Sequence, residues 1–147
     1  MKEAGERVPL RFHHGGLSVP DLEASIAWYA AALGFEVESR FEIPQIPAKV
    51  AILRRGELRM ELFEVPGAIP LPPDRRQPNK DVHTHGNKHV AFAVQNIDRL
   101  AQELRARDVD LVFVGRFQFG TNAFIRDNAG NLIEFVQQPD MDYSNAR

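Results

Sequence analysis

Apolar and polar positions along this chain change period in a fixed order, and they do so twice. Leu17 and Val19 alternate with small or polar neighbours, as in a half-buried strand. After Asp21, a good N-cap, Leu22, Ile26, Tyr29 and Leu33 fall at helical spacing, and Gly34 is placed to stop that helix. Strand-like runs follow at about 35–43, 48–54 and 57–64. The same order then returns. Val90, Phe92 and Val94 alternate, and Asn96 offers a second N-cap. Ile97, Leu100, Ala101 and Leu104 keep helical spacing, with Arg99, Glu103 and Arg105 on the wet side. Runs at about 110–115, 119–126 and 131–137 close the copy. Arg55-Gly56 and Asp127-Asn128-Ala129-Gly130 supply turn chemistry between the last two strands of each copy. Each half reads β-α-β-β-β, which predicts an α+β chain.

The two halves are an internal repeat. One opens at His14-Gly15-Gly16-Leu17-Ser18-Val19 and the other at His89-Val90-Ala91-Phe92-Ala93-Val94. Each ends in a strand bearing a glutamate, Glu61 or Glu134, which lies 47 residues after its histidine in the first copy and 45 in the second. Residues 65–87 separate the copies and hold five of the ten prolines, a composition that predicts a linker or active-site loop without helix or central strand. The expected organisation is one domain over 1–147: a module at 10–64, the linker at 65–87, a module at 88–137 and a polar tail at 138–147.

Strand parity brings in the chemistry. Side chains alternate faces, so His14 shares a face with Gly16 and Ser18, and His89 shares one with Ala91 and Ala93. Glu61 and Glu134 also point away from the helix side. If the modules pack edge to edge, two imidazoles and two carboxylates converge on a concave floor, with small residues leaving room beside each histidine. Such a donor set suits one divalent ion (Zn, Ni, Co, Fe or Mn) and leaves coordination positions open. The chain has no cysteine, so every metal ligand must be nitrogen or oxygen. Parity places Phe124 and Arg126 on the Glu134 face, and together with Asn122 they are candidates to contact substrate. His83 and His85 read as loop residues, His13 as a non-ligand, and Trp28 and Tyr29 as core or interface.

Composition narrows the partners. A net charge of −2 gives no electrostatic footprint for nucleic acid or an anionic membrane. No run approaches the ~20 apolar residues of a membrane span, and the N-terminus lacks a secretory h-region. The expected setting is cytoplasmic and the expected partner a small-molecule substrate. Exposed strand edges predict a two-fold homodimer, with modules paired within a chain or exchanged between chains.

With these motifs, the chain resembles the vicinal-oxygen-chelate superfamily of glyoxalases, bleomycin-resistance proteins, methylmalonyl-CoA epimerases and extradiol dioxygenases. The resemblance rests on His14 to Glu23, the Trp28-Tyr29 to Leu33-Gly34-Phe35 helix exit, His89 to Val94, and Arg126 to Phe135. It implies paired βαβββ modules in a cupped mixed β-sheet with helices outside, and a metal held by His14, Glu61, His89 and Glu134. It also implies a substrate gripped through adjacent oxygens. Bacterial glyoxalases commonly have Arg where this chain has Ser18, which argues against glutathione. The leading expectation is a metal-dependent isomerase or lyase in which Glu134, or next Glu61, takes a proton beside a chelated carbonyl. An Fe(II) dioxygenase and a non-catalytic drug-binding protein are the alternatives.

Overall fold

The computed structural model describes residue 5 and residues 7–147. Its elements follow the order read from the periodicity. They are β1 (Gly15–Ser18), α1 (Leu22–Leu33), β2 (Glu36–Ile43), β3 (Ala48–Arg55) and β4 (Leu58–Glu64), then β5 (Val90–Val94), α3 (Ile97–Ala106), β6 (Asp110–Phe117), β7 (Gly120–Arg126) and β8 (Leu132–Gln137). They form two four-stranded mixed sheets, ordered β1-β4-β3-β2 and β5-β8-β7-β6. In each, the first strand runs parallel to the last, and the last three strands form antiparallel hairpins. Among the described residues, no helix is long and apolar enough to cross a membrane.

Both helices start on the expected caps. Asp21 accepts from Ala24 N at 2.9 Å and Asn96 accepts from Arg99 N at 3.0 Å. A second pair of caps comes from the sheets. Glu64 Oε1 accepts from Leu22 N at 3.2 Å, and Gln137 Oε1 accepts from Ile97 N at 2.8 Å. Each is the third residue after a repeat glutamate, so the strand that carries the glutamate also anchors the helix start. Gly34, at φ 72°, closes α1 with the Phe35 N–H bonded back to Tyr29 O at 3.1 Å. Asp108 performs the same left-handed turn after α3 at φ 59°, without a glycine to announce it.

The linker departs from expectation. Its prolines do not abolish helix: they start it. Pro73–Arg76 forms a 3₁₀ turn and Pro78–Asp81 a single-turn helix, α2, each with proline in the first turn. There the missing N–H costs no hydrogen bond and the fixed φ favours the turn.

One continuous core draws on both modules. It includes Tyr29, Leu33, Phe35, Leu53, Met60 and Leu62 from the first, and Ile97, Leu104, Ile125, Ile133 and Phe135 from the second. The joint between them is polar as well as apolar. Tyr29, fully buried, donates from its hydroxyl to Asp127 Oδ2 at 2.9 Å, and Ser25 Oγ donates to Asn128 Oδ1 at 3.1 Å. Asp127 is itself buried. Its Oδ1 accepts from the Ala129 and Asn131 amides at 2.9 Å each, and its Oδ2 also accepts from Asn131 Nδ2 at 3.0 Å. Phe35 meets Phe92 across the joint with ring centroids 6.0 Å apart. The polar tail returns to the first module, where the Asn145 carbonyl lies against Gly56.

Burial, and after it the negative charge of Asp127, hold the Tyr29 hydroxyl well above its ordinary value of 10. A folded-state pKa raised in this way gives stability that is complete below the unfolded pKa and lost as pH rises through the folded one. We therefore predict that Tyr29→Phe lowers stability at neutral pH by about 1.5–3 kcal/mol, the usual contribution of a hydrogen bond to a charged group. The wild type should lose stability more steeply than the variant above about pH 10. Urea denaturation across that range measures both, and parallel pH curves would show that the phenol does not titrate against Asp127.

Candidate metal centre

His14 and His89 each sit one residue before the first strand of a module. The parallel register sets Gly16 opposite Glu61 and Ala91 opposite Glu134, so each glutamate shares a face with the histidine two residues before its partner. The side chains meet accordingly. His14 Nε2 lies 3.5 Å from Glu61 Oε1, and His89 Nε2 lies 2.8 Å from Glu134 Oε2. All four are partly screened from solvent, the histidine side chains at 33% and 25% and the glutamates at 17% and 18% relative exposure, so they remain reachable.

The structure brings the expected ligands together two by two. Among the described residues, no group of three or more His, Cys, Asp or Glu is placed to hold one ion. His14 and His89 both line a crevice of about 770 Å³ between β1, the linker and the start of β5, while Glu61 and Glu134 are not among its walls.

The second pair has a fuller surround. Phe124 lies directly opposite Glu134 in the β7–β8 register, as parity requires, and Phe113 lies opposite Phe124. Phe124 packs edge-on to the His89 ring with centroids 5.0 Å apart and leans on Phe113 at 5.4 Å. Asn122 Nδ2 donates to Glu134 Oε1 at 3.2 Å, while Asn122 Oδ1 is buried with no hydrogen-bond partner. An orphaned buried acceptor costs about 1–3 kcal/mol, which marks this amide as held for a reason. Arg126 shares the face but is engaged elsewhere. It donates to the Arg76 carbonyl at 2.6 Å and pairs with Asp110 at 3.1 Å, and so fastens the linker to β7.

The first pair has a different neighbour. His13 Nδ1 lies 2.7 Å from His14 Nδ1, so one imidazole donates to the other and Nε2 of His14 is left facing Glu61. Parity excluded His13 as a ligand and gave no signal for this contact, because the residue precedes the regular strand. Arg59, two residues before Glu61, is neutralised by Glu38 through bonds of 2.9 and 3.0 Å. Those bonds, with the Arg59 and Arg54 charges, hold the Glu38 carboxyl below its usual range. His83 and His85 are exposed on the linker.

The linker is pinned at a buried carboxylate that the sequence reading did not single out. Asp81 is fully buried. Lys88 Nζ donates to its Oδ1 at 3.2 Å, to its carbonyl at 2.7 Å and to the Thr84 carbonyl. Arg75 Nε approaches the same Oδ1 to 2.6 Å as a charge contact without hydrogen-bond alignment. Since Lys88 precedes His89, this cluster fixes the backbone from which that imidazole projects.

Comparison with known proteins agrees with this architecture. The family model described as the Glyoxalase/Bleomycin resistance protein/Dioxygenase superfamily matches residues 11–135. Human mitochondrial methylmalonyl-CoA epimerase is 28% identical over 99 residues, 67% of this chain and 54% of that protein. The chain thus spans about half the length of this curated relative. A glyoxalase family protein of Enterococcus faecalis superposes with a TM-score of 0.73 at 22% identity, covering 86% of this chain and 97% of that one. Glyoxalase I of Leishmania major superposes at 0.66 and 24% identity, covering 88% and 87%. At such identities these two likenesses carry the fold.

Removing the carboxylate of Asp81 leaves two cations sharing a site with no counter-charge. We predict that Asp81→Ala costs about 1.5–3 kcal/mol of stability and makes residues 71–88 cleavable by trypsin in the native protein. Limited proteolysis with denaturation decides it: an intact linker and unchanged stability would show that Asp81 does not pin it.

Proposed function

The chain belongs to the glyoxalase/bleomycin resistance protein/dioxygenase superfamily, and from that premise we propose that it is a metal-dependent isomerase or lyase that moves a proton next to a carbonyl of a small oxygenated substrate. The observation that carries this reading is the recurrence of one His–Glu pair at the same register in both modules, at 3.5 and 2.8 Å. Two imidazoles and two carboxylates, with no thiol in the chain, are a suitable nitrogen–oxygen donor set for a single divalent transition ion. His14, Glu61, His89 and Glu134 would hold it. Among the described residues the two pairs stay apart in one chain, which favours a set completed across a two-fold dimer, the first-module pair of one copy facing the second-module pair of the other.

A bound divalent ion would polarise the substrate carbonyl and acidify the neighbouring C–H. The protein supplies the rest. Glu134 accepts the proton and returns it, with Glu61 the second candidate. Phe124, edge-on to His89, limits the rotation of that ring. Ala91 and Ala93, exposed on the Glu134 face, leave space for substrate beside the carboxylate. Ser18 closes β1 where bacterial glyoxalases commonly carry an arginine, which argues against a glutathione adduct as the substrate.

Protein purified without chelators should contain about one divalent transition ion per chain. With small 2-keto or 2-hydroxy thioesters and α-hydroxy ketones in D₂O, deuterium should enter at the carbon beside the carbonyl without oxygen uptake. Glu134→Gln should lower kcat by ~10²–10⁴ while metal is partly retained, the range for loss of a general base. Oxygen uptake with ring or chain cleavage would replace this reading with the dioxygenase one. Ligand binding without turnover, surviving loss of the four residues, would replace it with a binding protein.

The shared site has its own test. His14→Ala and Glu134→Gln homodimers should each be inactive. Mixed and re-equilibrated in equal amounts, they should regain about one quarter of the wild-type sites, because each mixed dimer carries one fully native set. No recovery in a proven mixed dimer would place the whole set within one chain.

A further inference from the structure

The two repeat glutamates are not held alike, and the difference lies in one amide. Glu61 has Val50 as its cross-strand diagonal neighbour, since Val50 pairs with Phe63 in the β3–β4 hairpin. Valine has no donor to offer. The corresponding position in the second module, paired with Val136, is Asn122, which donates to Glu134 Oε1 at 3.2 Å. His89 meets the other oxygen, Oε2, at 2.8 Å. Glu134 is therefore held at both oxygens, while Glu61, among the described residues, faces only His14 at 3.5 Å.

The position of the amide depends on an absent side chain. Gly115 pairs with Asn122 across the β6–β7 hairpin. A Cβ there would lie 2.5 Å from Asn122 Oδ1 and would collide with the Phe117 ring. Gly115 is buried and its φ is not in the left-handed region, so the requirement is space and not backbone conformation. Oδ1 fills the space over Gly115 and has no partner. Turning the amide over would bring that oxygen against the Glu134 carboxylate and remove its hydrogen bond, so the N–H must face Glu134. With one N–H engaged by Glu134 and its oxygen boxed in over Gly115, this side chain is held in place by the carboxylate beside it.

The geometry points to Asn122 as the positioning residue for Glu134, seated by Gly115. This assignment rests on the reading of Glu134 as ligand and proton acceptor, and it gives Asn122 a role distinct from the expected contact with substrate. By holding Oε1, the amide fixes the plane of the carboxylate and thus the direction in which Oε2 is offered. Among the described residues no equivalent restraint acts on Glu61, so the two carboxylates of the set are unequal before anything binds.

The first arm of the test needs neither metal nor substrate. In metal-free protein, the Asn122 side-chain NH₂ should give a split, exchange-protected pair of signals in ¹H–¹⁵N spectra. Glu134→Ala should collapse that pair and Glu61→Ala should leave it. The second arm titrates Co²⁺ by calorimetry and visible absorption. Asn122→Ala should weaken Co²⁺ binding about 10–100-fold, the range for partners of metal ligands, and alter the cobalt band while the thermal midpoint holds. Asn122→Asp, of the same shape but without the donor, should not restore affinity. Gly115→Ala should weaken binding alone and add nothing in the Asn122→Ala background, because the two substitutions remove the same contact. Additive losses, an unchanged Co²⁺ affinity in Asn122→Ala, or NH₂ signals insensitive to Glu134→Ala would each overturn the assignment. If the wild type binds no Co²⁺, the metal reading falls, and the spectra of the first arm alone decide whether Asn122 positions Glu134.

Discussion

The architecture depends on one buried charge. Asp127 is nearly inaccessible, yet a lone carboxylate cannot be taken out of water without compensation. Its compensation is complete: two backbone amides, one side-chain amide and one phenol donate to it. Three of those donors lie within the turn 127–131 and set how β7 meets β8. That register places Phe124 and Asn122 beside Glu134. The fourth donor, Tyr29, belongs to the helix of the other module. A single group thus fixes the local geometry of one glutamate and ties the two modules together. Neither could shift without leaving a buried carboxylate short of a donor.

The parts legible in the sequence are those governed by short-range periodicity. The order of strands and helices, both N-caps, the Gly34 stop and the face on which each histidine and glutamate lies all follow from periods of two and 3.6, which need no knowledge of distant residues. The face that Phe124 and Arg126 share with Glu134 was readable too, given a simple β7–β8 hairpin, which the short turn provides. What could not be read has a common cause. Prolines in the linker exclude a helix interior but suit a first turn, and which applies depends on what the turn packs against. Asp108 takes a left-handed conformation that a glycine would have signalled. The contact of Tyr29 with Asp127 joins residues far apart in sequence. The arrangement of the His–Glu pairs relative to one another is likewise a relation between modules, and no pattern within a module encodes it.

The repeat supplies symmetry, and the surroundings of the two glutamates break it. Gln137 and Glu64 do the same work at the two helix starts, so those positions remain equivalent. Around the glutamates equivalence fails. Val50 and Asn122 occupy matching positions, yet only one can donate a hydrogen bond. His14 leans on another imidazole, whereas His89 is framed by Phe124 and projects from a backbone pinned through Lys88 to Asp81. Two identical halves would hold an ion symmetrically and give both carboxylates the same reactivity. Unequal restraint holds one carboxylate at both oxygens and leaves the other freer to adjust.

A fold of this kind separates what must persist from what is free to change. The four candidate ligands are located by strand register, so they stay in place as long as the hairpins and the Asp127 turn survive, even when most other residues differ. The walls are not so constrained. Ala91, Ala93 and Gly16 keep space open near the histidines, while Phe113, Phe117 and Phe124 give the second face an aromatic floor. Substituting Ala91, Ala93 or Gly16 changes the space beside the histidines, whereas Phe124, edge-on to His89 and backed by Phe113, is tied to the ring it frames. The fold is what this chain shares with its superfamily, while a fold alone does not fix which small molecule is bound. In this chain the walls on the Glu134 side are apolar and closely packed, and those near Glu61 carry the Glu38–Arg59 pair.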